Sequence, residues 1–453
     1  MPNAPPNEQR LSLATCLGFG VGTVGVSIML NTVTAYFPAF MTTVLGQSPE
    51  IAGYLLMGSK LYDAGADLII GRWSDRTVSR WGRRRPFLLA GGVVSSASFL
   101  MIFVPPQMTD TALAAYMAAA LILYSTGYSL FNVPYMTMPS EMTSGFHERT
   151  RLLSWRTLFV SIGQLLALAA TAALIERGGG GARGYGMMGL VMALIIFAAM
   201  TAAFLGTARA RQVPRSDTRS MLGKGQIKLL LQNRPFMLLL GAKVFQFLSF
   251  ASVAGTGLLF LLNVVHIGYN GQILLSVSLN ITTAAVIPLW FRLSQRIGKR
   301  RTYLAGVALY CLGAASWLWV GSTISTTGVL LRGVISGAGS GAIILMSISM
   351  LADTMAYDRS LTGLHREGLL SGLIAVVEKT AFALGVAVMG LLLKWAHYVP
   401  TVGGQLVEQP ASAVQALYIG YAVIPIVMFF CNGFFLYLYD LDEKKLQLAS
   451  TVQ

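Results

Sequence analysis

An all-α membrane protein of twelve transmembrane helices, set in two six-helix halves, is what this 453-residue chain encodes, and three features say so. Hydrophobic residues make up 55% of it and charged residues 11%, with a mean hydropathy of +0.63, a balance no soluble domain of this length carries. Apolar runs of about 20 residues, enough to cross roughly 30 Å of hydrocarbon, recur along the chain. Basic residues gather in short loops after every second run, and one such loop pattern returns six runs later.

The first run, 13–40, follows a polar, proline-rich start and is too long for the core of a cleaved signal peptide, so it is expected to persist as helix one. The second, 51–70, is interrupted by Lys60, Asp63 and Asp67. The third and fourth cover 86–104 and 111–134. Run five, 152–175, has Arg156 just inside its start, and run six, 184–206, completes the first half. The stretch 207–234 is the longest polar interruption, basic and containing Pro214; it reads as a cytoplasmic linker between bundles over 1–206 and 235–453. The second half supplies 236–265 with Lys243, then 272–291, 302–320, 326–351, 369–393 with Glu378 and Lys379, and 413–438.

A net charge of +15 would suit nucleic acid, but these arginines lie between spans and not on one soluble face. Arg76, Arg80, Arg83, Arg84 and Arg85 follow run two; Arg149 and Arg151 follow run four; Arg292, Arg296, Lys299, Arg300 and Arg301 follow run eight. The positive-inside rule then places both termini in the cytoplasm, for a multi-pass protein of the cell inner (plasma) membrane, expected to be a monomer whose partners are membrane lipid and a small-molecule substrate. Cys16, Cys311 and Cys431 are three, far apart, and in or beside apolar runs, which fits neither a disulfide framework nor a metal site. No phosphate-cradling glycine loop and no nucleophile–base pair at workable spacing appears, so neither an enzyme nor a cofactor is expected.

The loop Arg72-Trp-Ser-Asp-Arg76 with Gly82-Arg-Arg-Arg85 is matched by Arg292-Leu-Ser-Gln-Arg296 with Gly298-Lys-Arg-Arg301. A duplicated six-helix unit produces such a match, and parallel repeats suit alternating access about a midplane site. The first loop resembles the hallmark loop of the major facilitator superfamily. Asp63-Ala-Gly-Ala-Asp67 with Gly71, Asp75-Arg76-Thr77 and Arg80-Trp-Gly-Arg-Arg-Arg-Pro86 resembles, more narrowly, the second helix and loop of the glycoside-pentoside-hexuronide:cation symporters, the family of the melibiose carrier. Asn132-Val-Pro-Tyr135, Pro139, Glu141 and Glu148-Arg149-Thr150-Arg151 resemble its fourth helix and loop. Ala352-Asp353, Tyr357-Asp358, Thr362-Gly363, Arg366-Glu367-Gly368 and Lys379 resemble its helix ten to eleven region. The motifs span both halves in order.

Two carboxyls four residues apart share one helix face, and a carboxylate at membrane depth costs about 2.5 to 3.5 kcal/mol, so Asp63 and Asp67 mark an ion or proton site. Lys60, at i−3 from Asp63, lies on that face; a structural Lys60–Asp63 pair would neutralise only one of the two acids. The resemblance implies a cation site of Asp63, Asp67 and Ser129, with Na+ or H+ as coupling ion and Lys60 and Lys379 as coupling residues. Ala66 stands where the melibiose carrier has an asparagine, which removes one oxygen ligand for sodium. The resemblance further implies a substrate pocket touching Asn132, Met136, Arg156, Ile344 and Lys379. Asn132 replaces a sugar-gripping aspartate, Met136 and Ile344 replace aromatic positions, and the second gripping aspartate, expected near 25–27, is absent. A snorkelling role is the structural alternative for Arg156.

Asp75, Arg76, Glu141, Arg149, Asp353, Asp358 and Arg366 form a third group, expected to pair across the halves and close a cytoplasmic gate. The expected function is cation-coupled symport of a glycoside-like or other small organic substrate. A cation-dependent carrier of an amphipathic lipid such as a lysophospholipid, a lipid flippase or scramblase, and a non-transporting sensor of the same fold are the competing readings.

Overall fold

The computed structural model describes residues 11–143, 146–208, 210, 233–321, 324–363, 366–441 and 445. Its elements are α1 (Leu13–Val44), α2 (Pro49–Arg76), α3 (Arg85–Phe103), α4 (Asp110–Met142), α5 (146–177) and α6 (Ala182–Gly206), then α7 (Arg234–Asn263), α8 (Gly268–Ile297), α9 (Lys299–Trp319), α10 (Thr326–Thr362), α11 (Glu367–Trp395) and α12 (Ala411–Leu438). All but α2 are long and apolar enough to cross a membrane within the described residues, and α2 falls short only because Lys60, Asp63 and Asp67 crowd its centre. The helices outrun the apolar segments that reveal them. α10, expected over 326–351, continues through polar sequence to Thr362, because hydropathy marks the part in lipid whereas backbone hydrogen bonding carries the helix on into water.

Pro38 in α1 lacks the amide donor of a regular turn, and a π-helical stretch, Phe40–Val44, follows it before the chain turns. α4 carries both Pro134 and Pro139 yet stays helical to Met142. The basic segment expected as a loop after the eighth span is reduced to Gly298, whose φ of +84° reverses the chain between α8 and α9. Lys299, Arg300 and Arg301 therefore start a helix instead of lying in a loop.

The chain divides into two compact units. Unit 1 comprises Met1–Gln47, Gly58–Asp217 and Val402–Gln405; unit 2 comprises Ser48–Met57, Thr218–Thr401 and Leu406–Gln453. The polar stretch 211–232, expected as part of the linker, lies outside the described residues.

Lipid provides no hydrophobic drive between helices, so close backbone approach at small residues packs each unit. In unit 1, α1 meets α6 at Gly18 and Gly206, and α5 at Gly20 against Phe159 and at Ser27 against Gly163. α3 meets α4 at Gly91 against the Phe131 backbone and at Ser95 against Gly127. In unit 2, Gly333, Gly337 and Gly341, one turn apart on α10, lie against Ser278, Leu279 and Thr283 with Val286 on α8, while Gly306 and Gly339 bring α9 onto α10. A Cβ at Gly91 would stand 2.6 Å from the Phe131 amide nitrogen, which is fixed backbone. Gly91→Val is therefore expected to destabilise the protein by about 1–3 kcal/mol or more, read as a lower melting temperature in detergent.

Candidate functional site

From Gly58 on, within unit 1, α2 is joined to α4 by a ladder of hydroxyl contacts. Ser59 Oγ lies 2.8 Å from Ser125 Oγ, and Ser125 Oγ also donates to the Ser59 carbonyl at 3.1 Å. One turn on, Tyr62 and Thr126 hydroxyls are 3.0 Å apart. The next rung is the acidic one: Ser129 Oγ is 2.8 Å from Asp63 Oδ1 and 2.6 Å from Asp67 Oδ1. Ser59 to Ser125 and Asp63 to Ser129 share a sequence offset of 66, as two parallel helices in fixed register require. The register, and not the acids alone, brings the hydroxyl between the two carboxyls.

Asp63 is 3% exposed and Ser129 fully buried, while Asp67 is half-buried. A serine hydroxyl has one hydrogen to donate and lone pairs to accept. It satisfies one carboxylate oxygen; the second contact, at similarly short range, needs a proton on that carboxyl, or a cation among the oxygens, to be attractive. Among the described residues no group of three or more His, Cys, Asp and Glu side chains converges, so the donor set here is two carboxyls and a hydroxyl. Lys60, on the same helix, is half-buried. The structure brings Asp63, Asp67 and Ser129, the residues expected at the cation, together.

The residues expected at the substrate are distributed over both units. Asn132 is half-buried and Met136 is 48% exposed, both on α4 beyond Ser129. Beside them Tyr135 is fully buried, its hydroxyl 2.7 Å from Thr23 Oγ1 and donating to the Phe19 carbonyl on α1, with its ring stacked on Phe19 at 4.4 Å. Arg156 on α5 is half-buried, and its Nε is enclosed without a hydrogen-bond partner. It flanks the seam formed by Trp155, Phe159 and Gly163 against α1. Ile344, 44% exposed on α10, and half-buried Lys379 on α11 belong to unit 2.

Of the residues expected at a gate, Asp75, Glu141, Asp353, Asp358 and Arg366 have ion-pair partners in their own unit. In unit 1 the hub is Arg84, 3% exposed: Nε and Nη2 reach Glu141 Oε1 at 3.1 and 3.0 Å, Nη1 donates to Ser74 Oγ at 2.6 Å, and Nη2 pairs with Asp75. Arg83 adds a third contact to Glu141, at 2.7 Å. Arg76 is exposed, and the Arg149 side chain lies outside what is described. In unit 2 Arg366 pairs with Asp358 at 2.7 and 2.8 Å, both nearly enclosed, and Lys299 pairs with Asp353 at 2.6 Å on an open face.

Sequence reasoning missed Arg84 as the hub and Asn233 as a partner of Asp358. Three consecutive arginines give no sign of which one turns inward. Asn233 did leave a trace, since Asn just before Arg234-Pro235 is a helix-capping pattern, and its Oδ1 accepts from the Phe236 amide at 3.1 Å.

A family model described as MFS/sugar transport protein matches residues 18–443. The isoprimeverose transporter of Lactiplantibacillus pentosus is 26% identical over 100% of this chain and 92% of its own length. The glucuronide carrier protein homolog of Escherichia coli (strain K12) is 26% identical over 97% of this chain and 94% of its own. Among solved structures, tetrameric PepTSo2 superposes with a TM-score of 0.67 at 13% identity, covering 96% of this chain and 99% of that one, a likeness of fold alone.

Proposed function

This chain belongs to the MFS/sugar transport protein family, a family of multi-pass membrane transporters and not of enzymes, and from that premise we propose that it is a cation-coupled symporter of a glycoside. Relatives named for isoprimeverose and glucuronide transport support a sugar-type cargo over an amphipathic lipid. The observation that carries the coupling is the shared hydroxyl: Ser129 touches a carboxyl oxygen on each of Asp63 and Asp67 with one hydrogen to give.

The coupling cation joins this cluster of Asp63, Asp67 and Ser129. H+ joins as a proton on one carboxyl that donates to Ser129 Oγ; Na+ joins by drawing on the same oxygens. Binding there neutralises charge that is costly at membrane depth, and so favours the form of the carrier that closes around cargo and moves it. The ion pairs around Arg84 and Asp358 fix the ends of their bundles, and their balance tunes alternating access.

Purified protein in liposomes tests this reading. Labelled glycosides should accumulate under an imposed Na+ or pH gradient, and the gradient that works identifies the ion; flux indifferent to both would overturn the coupling. Ser129→Ala should raise the cation concentration needed for half-maximal uptake by about tenfold, the effect of losing one hydrogen bond to a charged group, without changing the melting temperature by much.

A further inference from the structure

α7 and α11 pack side by side in unit 2. Phe236 and Leu240 share an apolar cluster with Leu370 and Ile374; farther along, Ala251 meets Gly385 and Gly255 meets Met389. Taken in order, each pair has a sequence offset of 134, so the two helices run parallel in one register. Lys243 comes three residues after Leu240, and Glu378 four after Ile374. Both therefore stand on the faces that the helices turn to each other, between the apolar pairs and the small-residue pairs. Lys243 is 8% exposed, its Nζ lies over the Phe247 ring at 5.4 Å from the centroid, and Glu378 is the acid whose charge bears on it.

The other helices packed on α7 are α8, α10 and α12, and their apolar runs, 272–291, 326–351 and 413–438, contain no carboxylate. Glu50, which belongs to unit 2 through the start of α2, is paired with Lys394 at 3.0 Å, close to the end of α11. Stability does not account for a lysine and an acid on this seam. Such a pair in place of two apolar side chains is neutral or costly, and the seam already closes through its apolar and small-residue contacts. Charge at membrane depth marks instead a part in the movement of an ion or a substrate. What the pair does fix is rotation: with Glu378 drawn to α7, the next side chain, half-buried Lys379, is turned about 100° further around α11.

We propose that Lys243 is a positioning residue of the transport cycle, which acts through Glu378 to set the rotation of α11 and with it the placement of the Lys379 ammonium. The proposal rests on the coupled symport read above and adds to it a charge on α7 that acts through another side chain. An arginine at 243 brings the same charge to the same acid, whereas a methionine fills the space with none. Charge and packing at this position are thus separable.

The test measures gradient-driven uptake of p-nitrophenyl β-D-glucoside into liposomes and melting in detergent on the same proteins. Lys243→Met is expected to lower kcat/KM for uptake at least ~10-fold, the size of one charged contact, with a melting temperature equal to wild type or above it. Lys243→Arg should keep most of the uptake. Glu378→Gln, which leaves the ammonium buried without its acid, should lower both uptake and melting temperature. Lys243→Met combined with Glu378→Gln should restore the melting temperature and not the uptake, a result that a merely structural pair does not give. Full uptake by Lys243→Met would overturn the proposal and leave coupled symport standing. So would a Lys243→Met protein that melts well below wild type or does not fold, or a double variant in which uptake returns together with stability. Wild-type protein that accumulates no probe under either a Na+ or a pH gradient would remove the symport reading and the proposal together.

Discussion

Asp63→Asn is expected to abolish concentrative uptake while leaving a folded protein that still passes substrate downhill. Asn keeps the size of the side chain and an oxygen that can accept from Ser129, but it no longer carries the charge a cation answers. One charge moved through 100 mV supplies about 2.3 kcal/mol, which sustains an accumulation of roughly fiftyfold. Loss of coupling should therefore bring the internal-to-external ratio from that level to one. Stability should not suffer, since removing a carboxylate at 3% exposure from membrane depth relieves about 2.5 to 3.5 kcal/mol of insertion cost. Accumulation measured in liposomes, together with melting in detergent, separates the two effects. A variant that still concentrates substrate would show that the acid rung on α2 and α4 is structural.

The contrast between Asp63 and its surroundings also shows what a sequence discloses. Apolar runs announced every span, because lipid imposes one solution on any chain that crosses it. The acids on α2 were legible for the same reason: charge in a hydrophobic run has to be explained. Ser129 could be placed beside them only through resemblance, since a lone serine in an apolar helix usually bonds back to its own turn. The 66-residue register that puts it there depends on packing spread over Ser59, Ser125 and Thr126, none of which stands out in the chain. The termini of α4 and α10 were misjudged by eight and eleven residues because hydropathy ends at the headgroups and helices do not. At the polar ends residue types were legible and their partners were not. Asp75, Glu141, Asp353 and Asp358 were read as candidates for pairing between halves, and the partners the structure shows for them, Arg84, Lys299 and Arg366, lie in the same unit as each acid.

That finding makes Asp358 the site of the largest expected loss of stability. Asp358 and Arg366 are 1% and 3% exposed. Oδ2 accepts from Arg366 Nε at 2.7 Å, and Oδ1 accepts from Arg366 Nη2 at 2.8 Å and from Asn233 Nδ2 at 3.0 Å. Asn233 in turn caps α7 and reaches the Thr354 carbonyl at 3.3 Å, so one carboxylate ties the chain leaving α10, the helix start at Arg234 and the segment entering α11. Asp358→Ala strips these bonds from a guanidinium that stays buried, and removing one partner of a buried pair costs about 3–5 kcal/mol. Asp353→Ala, at a pair whose side chains are 42% and 26% exposed, should cost only about 0–1 kcal/mol. The two variants melted side by side in detergent give the answer. A large drop for Asp358→Ala with almost none for Asp353→Ala marks a clamp that holds unit 2 together. Equal melting temperatures, with changed transport rates in both, would instead make the pair a switch whose energy is spent on conformation. A buried pair can also be exchanged for an apolar one at little cost, so Asp358→Leu combined with Arg366→Met should recover most of the loss if the clamp works by filling and joining and not by charge.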